Sequence, residues 1–303
     1  MIKVEKVTLT EDLKFSRIIH GLWRLNDWNL KDEEVVSLIE NCLDLGITTF
    51  DHADIYGNYQ NEALFGKALA LNPALREQME IVTKCGIKLL SDQRPEHEIK
   101  YYDTSKEHII KSAENSLRNL QTDYIDVLLI HRPDPDMDPE EVAEAFSLLK
   151  EQGKVRYFGV SNFTPSQFDM LSSYLPFPLV TNQVEISVSH LDTFQDGTIE
   201  HCLQKRVAPM AWSPLAGGNI FANNDEKTNR INKALQEVGE ELSISEVDKL
   251  MYAWLLHHPS KIMPIVGSGK IDRIRAAAEA LEIKLTRQQW FKIWIASTGE
   301  DVA

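Results

Sequence analysis

Three cysteines in 303 residues, Cys42, Cys85 and Cys202, are too few and too far apart to form a disulfide framework. They read as reduced thiols of an intracellular protein. No apolar run approaches the ~20 residues that a membrane-spanning helix needs. The opening stretch MIKVEKVTLTEDLKF lacks the apolar centre of a secretory leader. Basic residues are also scarce, 32 Lys and Arg against 46 Asp and Glu, for a net charge of −14. That imbalance opposes binding to nucleic-acid phosphates, which calls for clustered cations, and to anionic membrane surfaces. The expectation is a cytoplasmic protein with no nucleic-acid or membrane partner, acting as a monomer on a small molecule.

A glycine-rich phosphate turn is missing as well. After the first strand-like run the chain reads Gly21-Leu22-Trp23-Arg24, where an open doubly wound sheet would advertise closely spaced glycines. What is present is a regular alternation of strand-like and helix-like segments. Strand-like runs fall at Arg17–Leu22, Ile47–Phe50, Glu80–Thr83, Tyr124–Ile130, Val155–Val160, Leu179–Val184, Val207–Ala211 and Ile262–Val266. Helical spacing lies between them, as over Asp32–Leu45, where Val35, Leu38, Ile39 and Cys42 share a face before Gly46. Asp138-Pro139-Glu140-Glu141 opens another helix with a capping carboxylate, proline at the first position and acids at the positive dipole end. Eight alternations without a linker predict α/β architecture: a single (β/α)8 TIM barrel spanning residues 1–303. A hairpin over residues 4–16 is expected to plug one end, and Leu285–Ile295 to add a final C-terminal helix.

Barrels of this kind place chemistry at the C-terminal ends of their strands. Asp51, Tyr56, Lys84 and His131 all fall at or just past such ends. A free phenol has a pKa of ~10, too high for acid catalysis near neutrality without a nearby cation. Lys84 supplies the cation, Asp51 fixes it, and His131 can hold a substrate oxygen. This set suits carbonyl reduction, in which oxygen gains negative charge and needs a proton. Hydride must then come from a cofactor.

The segments Asp51-His52-Ala53-Asp54-Ile55-Tyr56-Gly57, Thr83-Lys84-Cys85 and His131-Arg132-Pro133-Asp134-Pro135 resemble the catalytic motifs of the aldo-keto reductases. Gly159-Val160-Ser161-Asn162-Phe163, Asn182-Gln183-Val184-Glu185, Ala211-Trp212-Ser213-Pro214-Leu215 and Pro264-Ile265-Val266-Gly267-Ser268 are similar to that family's cofactor-binding segments, in the same order. Residues 23–28 and the Gln288-Gln289-Trp290 tail resemble a bacterial branch of its oxidoreductases. The resemblance implies a barrel that binds NADPH, with NADH as a poorer alternative, without a Rossmann fold. It implies that Ser161, Asn162 and Gln183 hold the nicotinamide carboxamide and that Trp212 stacks on the ring. Ser213, Leu215, Gly217 and Gly218 would follow the pyrophosphate, and Gly267, Ser268, Lys270 and Arg273 would take the adenosine 2′-phosphate. Gly21, Trp23 and Asp51 would border the cofactor. Many members carry lysine where Gly267 stands, and Lys270 is the nearest replacement.

The implied activity is reduction of an aldehyde or ketone to the alcohol, with Tyr56 as proton donor. Trp23 and Trp28, with residues 86–104 and the loop around Phe221, are expected to join Tyr56 and His131 around the substrate, favouring apolar or aromatic carbonyl compounds. A redox-sensing, NADP(H)-binding regulatory subunit with slow turnover is the alternative. Taken singly, each of the four residues has an ordinary structural explanation: turn former, edge residue, solvated lysine, core histidine. Asp134, Asp136 and Asp138 alternate like a calcium loop, but Pro139 and Ala145 occupy positions that need glycine and glutamate, so no metal is expected. Cys85 adjoins Lys84 yet should face the opposite side of its strand.

Overall fold

The computed structural model describes residues 3–303. Eight parallel strands close into a barrel: Ile19–Gly21, Thr49–Asp51, Glu80–Cys85, Ile125–Ile130, Val155–Ser161, Leu179–Glu185, Met210–Trp212 and Met263–Val266. Closure is made by the last strand against the first, with Ile265 opposite Ile19 and Val266 opposite His20. The predicted barrel is therefore the observed one. Ile125–Ile130 is buried along its whole length, as a strand covered by side chains inside and helices outside must be.

The expected hairpin pairs Lys6–Thr8 with Lys14–Ser16. Its Val7, Leu13 and Phe15 enter one cluster with the inward-facing Ile19, Val82, Val127, Leu129, Val180, Met210, Met263 and Ile265. Phe15 is fully buried there, a contribution of roughly 2–3 kcal/mol for an aromatic ring taken from water. Alternation along the strands then fixes what tops the barrel. Lys84 follows Val82 at a spacing of two, and His131 follows Val127 and Leu129, so both emerge on the inner side. Cys85 falls on the other side, among Ile109 and Ala113 of the helical layer and Ile130 of the neighbouring strand, where burial pushes its thiol well above the usual range.

Some boundaries move for physical reasons. The seventh strand begins at Met210 rather than Val207. The Val207 amide closes the preceding helix by donating to the Cys202 carbonyl, and Pro209 has no N–H to pair. The first strand starts at Ile19, because Arg17 is tied by its amide to Glu5 and by its guanidinium to the carbonyls of Leu256 and Ile262. Residues 86–104, expected as a polar insertion, carry a small antiparallel pair, Ile87–Lys88 with Tyr101–Tyr102. The final helix is Arg287–Thr298, begun by a capping box between Thr286 and Gln289. It docks through Trp290, which stacks on Trp254 at 4.8 Å and exchanges indole N–H bonds with its carbonyl. Among the described residues, no helix is long and apolar enough to cross a membrane.

Candidate active site

The second, third and sixth strands deliver three polar side chains to one point inside the barrel mouth. Lys84 Nζ lies 2.9 and 2.8 Å from the two carboxylate oxygens of Asp51, 2.7 Å from the His52 carbonyl and 3.0 Å from Tyr56 Oη. Three N–H groups thus serve four acceptors, so the ammonium is fixed in direction. Gln183 Nε2 donates to Asp51 Oδ1 at 2.8 Å and anchors the carboxylate from across the barrel. Lys84 is completely buried and Asp51 nearly so. Burial alone would lower the Lys84 pKa, but Asp51 and Tyr56 overcome it and hold the ammonium above its ordinary value. Burial likewise pushes Asp51 up, while Lys84 and Gln183 pull it back. The net direction for Asp51 is upward, since burial outweighs the partners that hold its two oxygens.

Tyr56 stands where the chain leaves the barrel through Gly57, Asn58 and Tyr59, all in the left-handed region. A Cβ on Gly57 would strike the Asn61 side chain at 1.8 Å, so glycine is required both for the turn and for the space. Asn61 is buried and donates to the carbonyls of Leu22 and Trp23, tying the tyrosine turn to the loop after the first strand. The phenol departs from the sequence expectation in one respect. Lys84 does pull its pKa down, but burial outweighs the ammonium and leaves Tyr56 above its ordinary value. Because Lys84 donates to Tyr56 Oη, the phenolic hydrogen is left for another acceptor.

The His131 ring meets the Tyr56 ring edge-on at 5.9 Å. Its Nδ1 is buried without a partner. Burial, helped by the charges of Lys84 and Arg132, drives its pKa well below the usual range, so the imidazole is neutral. All four predicted groups are therefore together, with a proton donor, a fixed cation and a neutral ring facing the mouth.

Ser161, Asn162 and Gln183, expected at a carboxamide, form a connected patch beside them. Ser161 Oγ donates to the Gln183 carbonyl at 2.8 Å, Asn162 Nδ2 donates to Ser161 Oγ at 2.8 Å, and Trp212 Nε1 donates to Asn162 Oδ1 at 2.9 Å. Asn162, Ser213 and Ala216 adopt positive φ without being glycine, a strain that collects at functional sites. Gly217, Gly218 and Gly267 face open space where a Cβ would project, while Lys270 and Arg273 are exposed. An unpartnered imidazole nitrogen, a shelf of open glycines and two free cations in sequence fit an elongated anionic dinucleotide. Gly21 is glycine for another reason: a Cβ there would lie 2.6 Å from Ile265 Cγ2.

The aromatic residues divide. Trp23 is 59 % exposed and Phe221 57 % exposed, both at the rim. Trp28 does not join the tetrad; its ring packs on His20 at 5.8 Å and against Gly269. Sequence reasoning missed Asn61 and Arg132. Asn61 could have been suspected as an amide five residues past the key tyrosine, and Arg132 as the cation next to His131.

A barrel mouth holding a phenol on a buried ammonium defines an oxidoreductase of the carbonyl-reducing kind. The profile of the Aldo/keto reductase family matches residues 17–296, and the chain belongs to that family. It is 55 % identical to the oxidoreductase YdhF of Escherichia coli strain K12 over 99 % of both chains. It is 44 % identical to the 6-dehydroglucose reductase of Agrobacterium fabrum, across 99 % of this chain and all of that one. Among solved structures, the thermostable aldo-keto reductase Tm1743, crystallised with the inhibitor epalrestat, superposes with a TM-score of 0.81 at 29 % identity, covering 96 % of this chain and 99 % of that chain.

Proposed function

We propose that this chain reduces an aldehyde to the alcohol with NADPH, Tyr56 delivering the proton to the carbonyl oxygen. The observation that carries the reading is the single ammonium shared by Asp51 and Tyr56 Oη. NADPH, when bound, supplies hydride to the carbonyl carbon. The neutral His131 ring orients the carbonyl oxygen toward the Tyr56 hydroxyl. As that oxygen gains charge, the phenol gives up its proton, and the Lys84 ammonium stabilises the phenolate left behind. Asp51 keeps the ammonium from turning away, and Gln183 keeps Asp51 in place. Ser161, Asn162 and Gln183 hold the carboxamide, Trp212 covers the ring, and the 213–218 stretch lies along the pyrophosphate. Ser268, Lys270 and Arg273 take the 2′-phosphate, which sets NADPH above NADH.

The substrate class moves away from the aromatic carbonyls that Trp23 and Trp28 suggested. A groove of about 340 Å³ runs beside Asn162 and Trp212 and is lined by Arg132, Glu185, His190 and Asp192. Arg132 has no ion pair within 4.0 Å among the described residues, and its guanidinium lies 5.6 Å from the Trp212 ring centre. None of Asp51, Tyr56, Lys84 or His131 lines that groove, so it does not set the substrate class; what turns the reading from flat aromatic aldehydes is that Trp28 packs on His20 instead of facing Tyr56. The name of the A. fabrum relative points the same way, to a hexose oxidised at carbon 6.

Titration of the purified protein with NADPH and NADH by calorimetry is the test, followed by turnover with the glucose 6-aldehyde and with 4-nitrobenzaldehyde. NADPH-selective binding and faster turnover of the sugar aldehyde are expected. No binding of either nucleotide would sink the reductase reading. Tight binding with negligible turnover of both aldehydes would favour a redox-sensing subunit.

A further inference from the structure

The turn after the last barrel strand, residues 267–270, leans on two side chains that the chemistry above does not use. Gly269 has an ordinary backbone, with no positive φ, so conformation alone would accept alanine. The obstacle is Trp28. A Cβ at position 269 would lie 2.7 Å from Trp28 Cδ2, 2.8 Å from Cγ and 3.0 Å from Cε3. Those three atoms belong to one face of the indole, which therefore lies flat against the Gly269 backbone. The other support is His20, on the outer side of the first strand. Its Nε2 is 3.0 Å from the Ser268 carbonyl, which fixes that nitrogen as the donor, since a carbonyl can only accept. The imidazole in turn lies tilted against Trp28 at 5.8 Å and edge-on to Phe50 at 5.8 Å, so three rings pack in series from the second strand out to the turn.

We infer that Trp28 and His20 are positioning residues for the nucleotide: they clamp the Ser268–Gly269 backbone, and with it Lys270 and Arg273, in the geometry that receives the adenosine 2′-phosphate. Trp28 thus sets cofactor affinity from beneath the turn rather than shaping the carbonyl pocket. The inference rests on the NADPH reading. It adds a reason for glycine at 269, and holding the turn in its binding geometry beforehand lowers the ordering cost of taking the phosphate.

The test is a double-substitution cycle read by calorimetric titration with NADPH. Gly269→Ala and Trp28→Ala should each weaken NADPH binding by about tenfold, and Trp28→Phe should recover most of the loss. In the Trp28→Ala background, Gly269→Ala should cost less than about twofold more, because the indole it collides with is gone. The KM for 4-nitrobenzaldehyde at saturating NADPH separates this role from a substrate-wall role and should not move in Trp28→Ala. Thermal unfolding of each variant guards against general collapse, and Trp28→Phe keeps the question open to test if Trp28→Ala misfolds. Unchanged NADPH affinity in Trp28→Ala, strictly multiplicative losses in the double variant, or a shift confined to the aldehyde KM would each overturn the inference while leaving the reductase reading intact. Wild-type protein that binds neither nucleotide would instead overturn that reading, and this one with it.

Discussion

On the side of the mouth fed by the second, third and fourth strands, the groups that surround Lys84 are already within hydrogen-bonding distance and, apart from the half-buried Tyr56, out of water. On the side fed by the seventh and eighth strands, Gly217, Gly218 and Gly267 look into open space, and Lys270 and Arg273 are exposed with no hydrogen bond or ion pair of their side chains among the described residues. The first side must not move while charge shifts, since reorganising dipoles during the reaction would add to its barrier. On the reading proposed above, the second would admit and release a long anionic ligand, and the side chains of Lys270 and Arg273 are left unspent. What the contrast teaches is that preorganisation is local: around Lys84 the polar groups are already paired, while the turn that carries Lys270 and Arg273 is held through its backbone, by Trp28 and His20.

Five experiments press on that contrast. The largest effect is expected from Tyr56→Phe, which should lower kcat by about 10³-fold with NADPH affinity retained, as loss of a general acid does. An unchanged kcat would remove Tyr56 as the donor. Because the phenol is held above its ordinary pKa, wild-type reductive kcat should also stay flat from about pH 6 to 9 instead of titrating there.

Next comes Lys84→Met. It strands the buried Asp51 carboxylate and should cost about 3–5 kcal/mol of stability by denaturant unfolding. Adding Asp51→Asn should return much of that stability but no activity. A single Lys84→Met variant as stable as the wild type would mean that the pair is not ionic.

Acid should weaken both sides together. Burial lowers the His20 pKa to about 4 and, with help from Lys84, the His52 pKa to about 3. A group with a depressed folded-state pKa contributes stability that is present above its unfolded value, near 6.5, and lost as pH falls through the folded value. His20 alone accounts for about 3 kcal/mol across that window. The melting temperature should fall between about pH 6.5 and 4, and His20→Leu should flatten the decline; an equally steep curve would mean that His20 does not stay neutral in the fold.

The smallest effect belongs to the open side. Arg273→Ala should weaken NADPH binding by roughly 10- to 100-fold, the value of one charge-assisted contact, and leave NADH affinity unchanged. An equal loss for both nucleotides would place Arg273 away from the 2′-phosphate.

Much of the barrel was legible in the chain because its signals are local. Val82, Lys84 and Val127, Leu129, His131 carry their facing in the alternation itself, and Asp138-Pro139 announces a helix start that is observed, with Asp138 accepting from the Glu140 amide. Less legible were features made by distant partners. Pro209 shortened the seventh strand, and Trp28 sits near Trp23 in sequence yet faces a turn some 240 residues further along the chain. Gly21 was expected to border the cofactor, and the structure adds that its lack of a side chain makes room for Ile265 on the neighbouring strand.

By itself the sequence determined the alternating fold and which four polar groups would meet at the barrel mouth, since periodicity and strand-end placement are properties of short segments. Tertiary structure decided which way the Tyr56 pKa moves, because burial is a sum over every neighbour and here exceeds the pull of one ammonium. It also decided that Gln183 braces Asp51 from 132 positions away, and that Trp28 supports the nucleotide turn. Those contacts exist only once the barrel has closed.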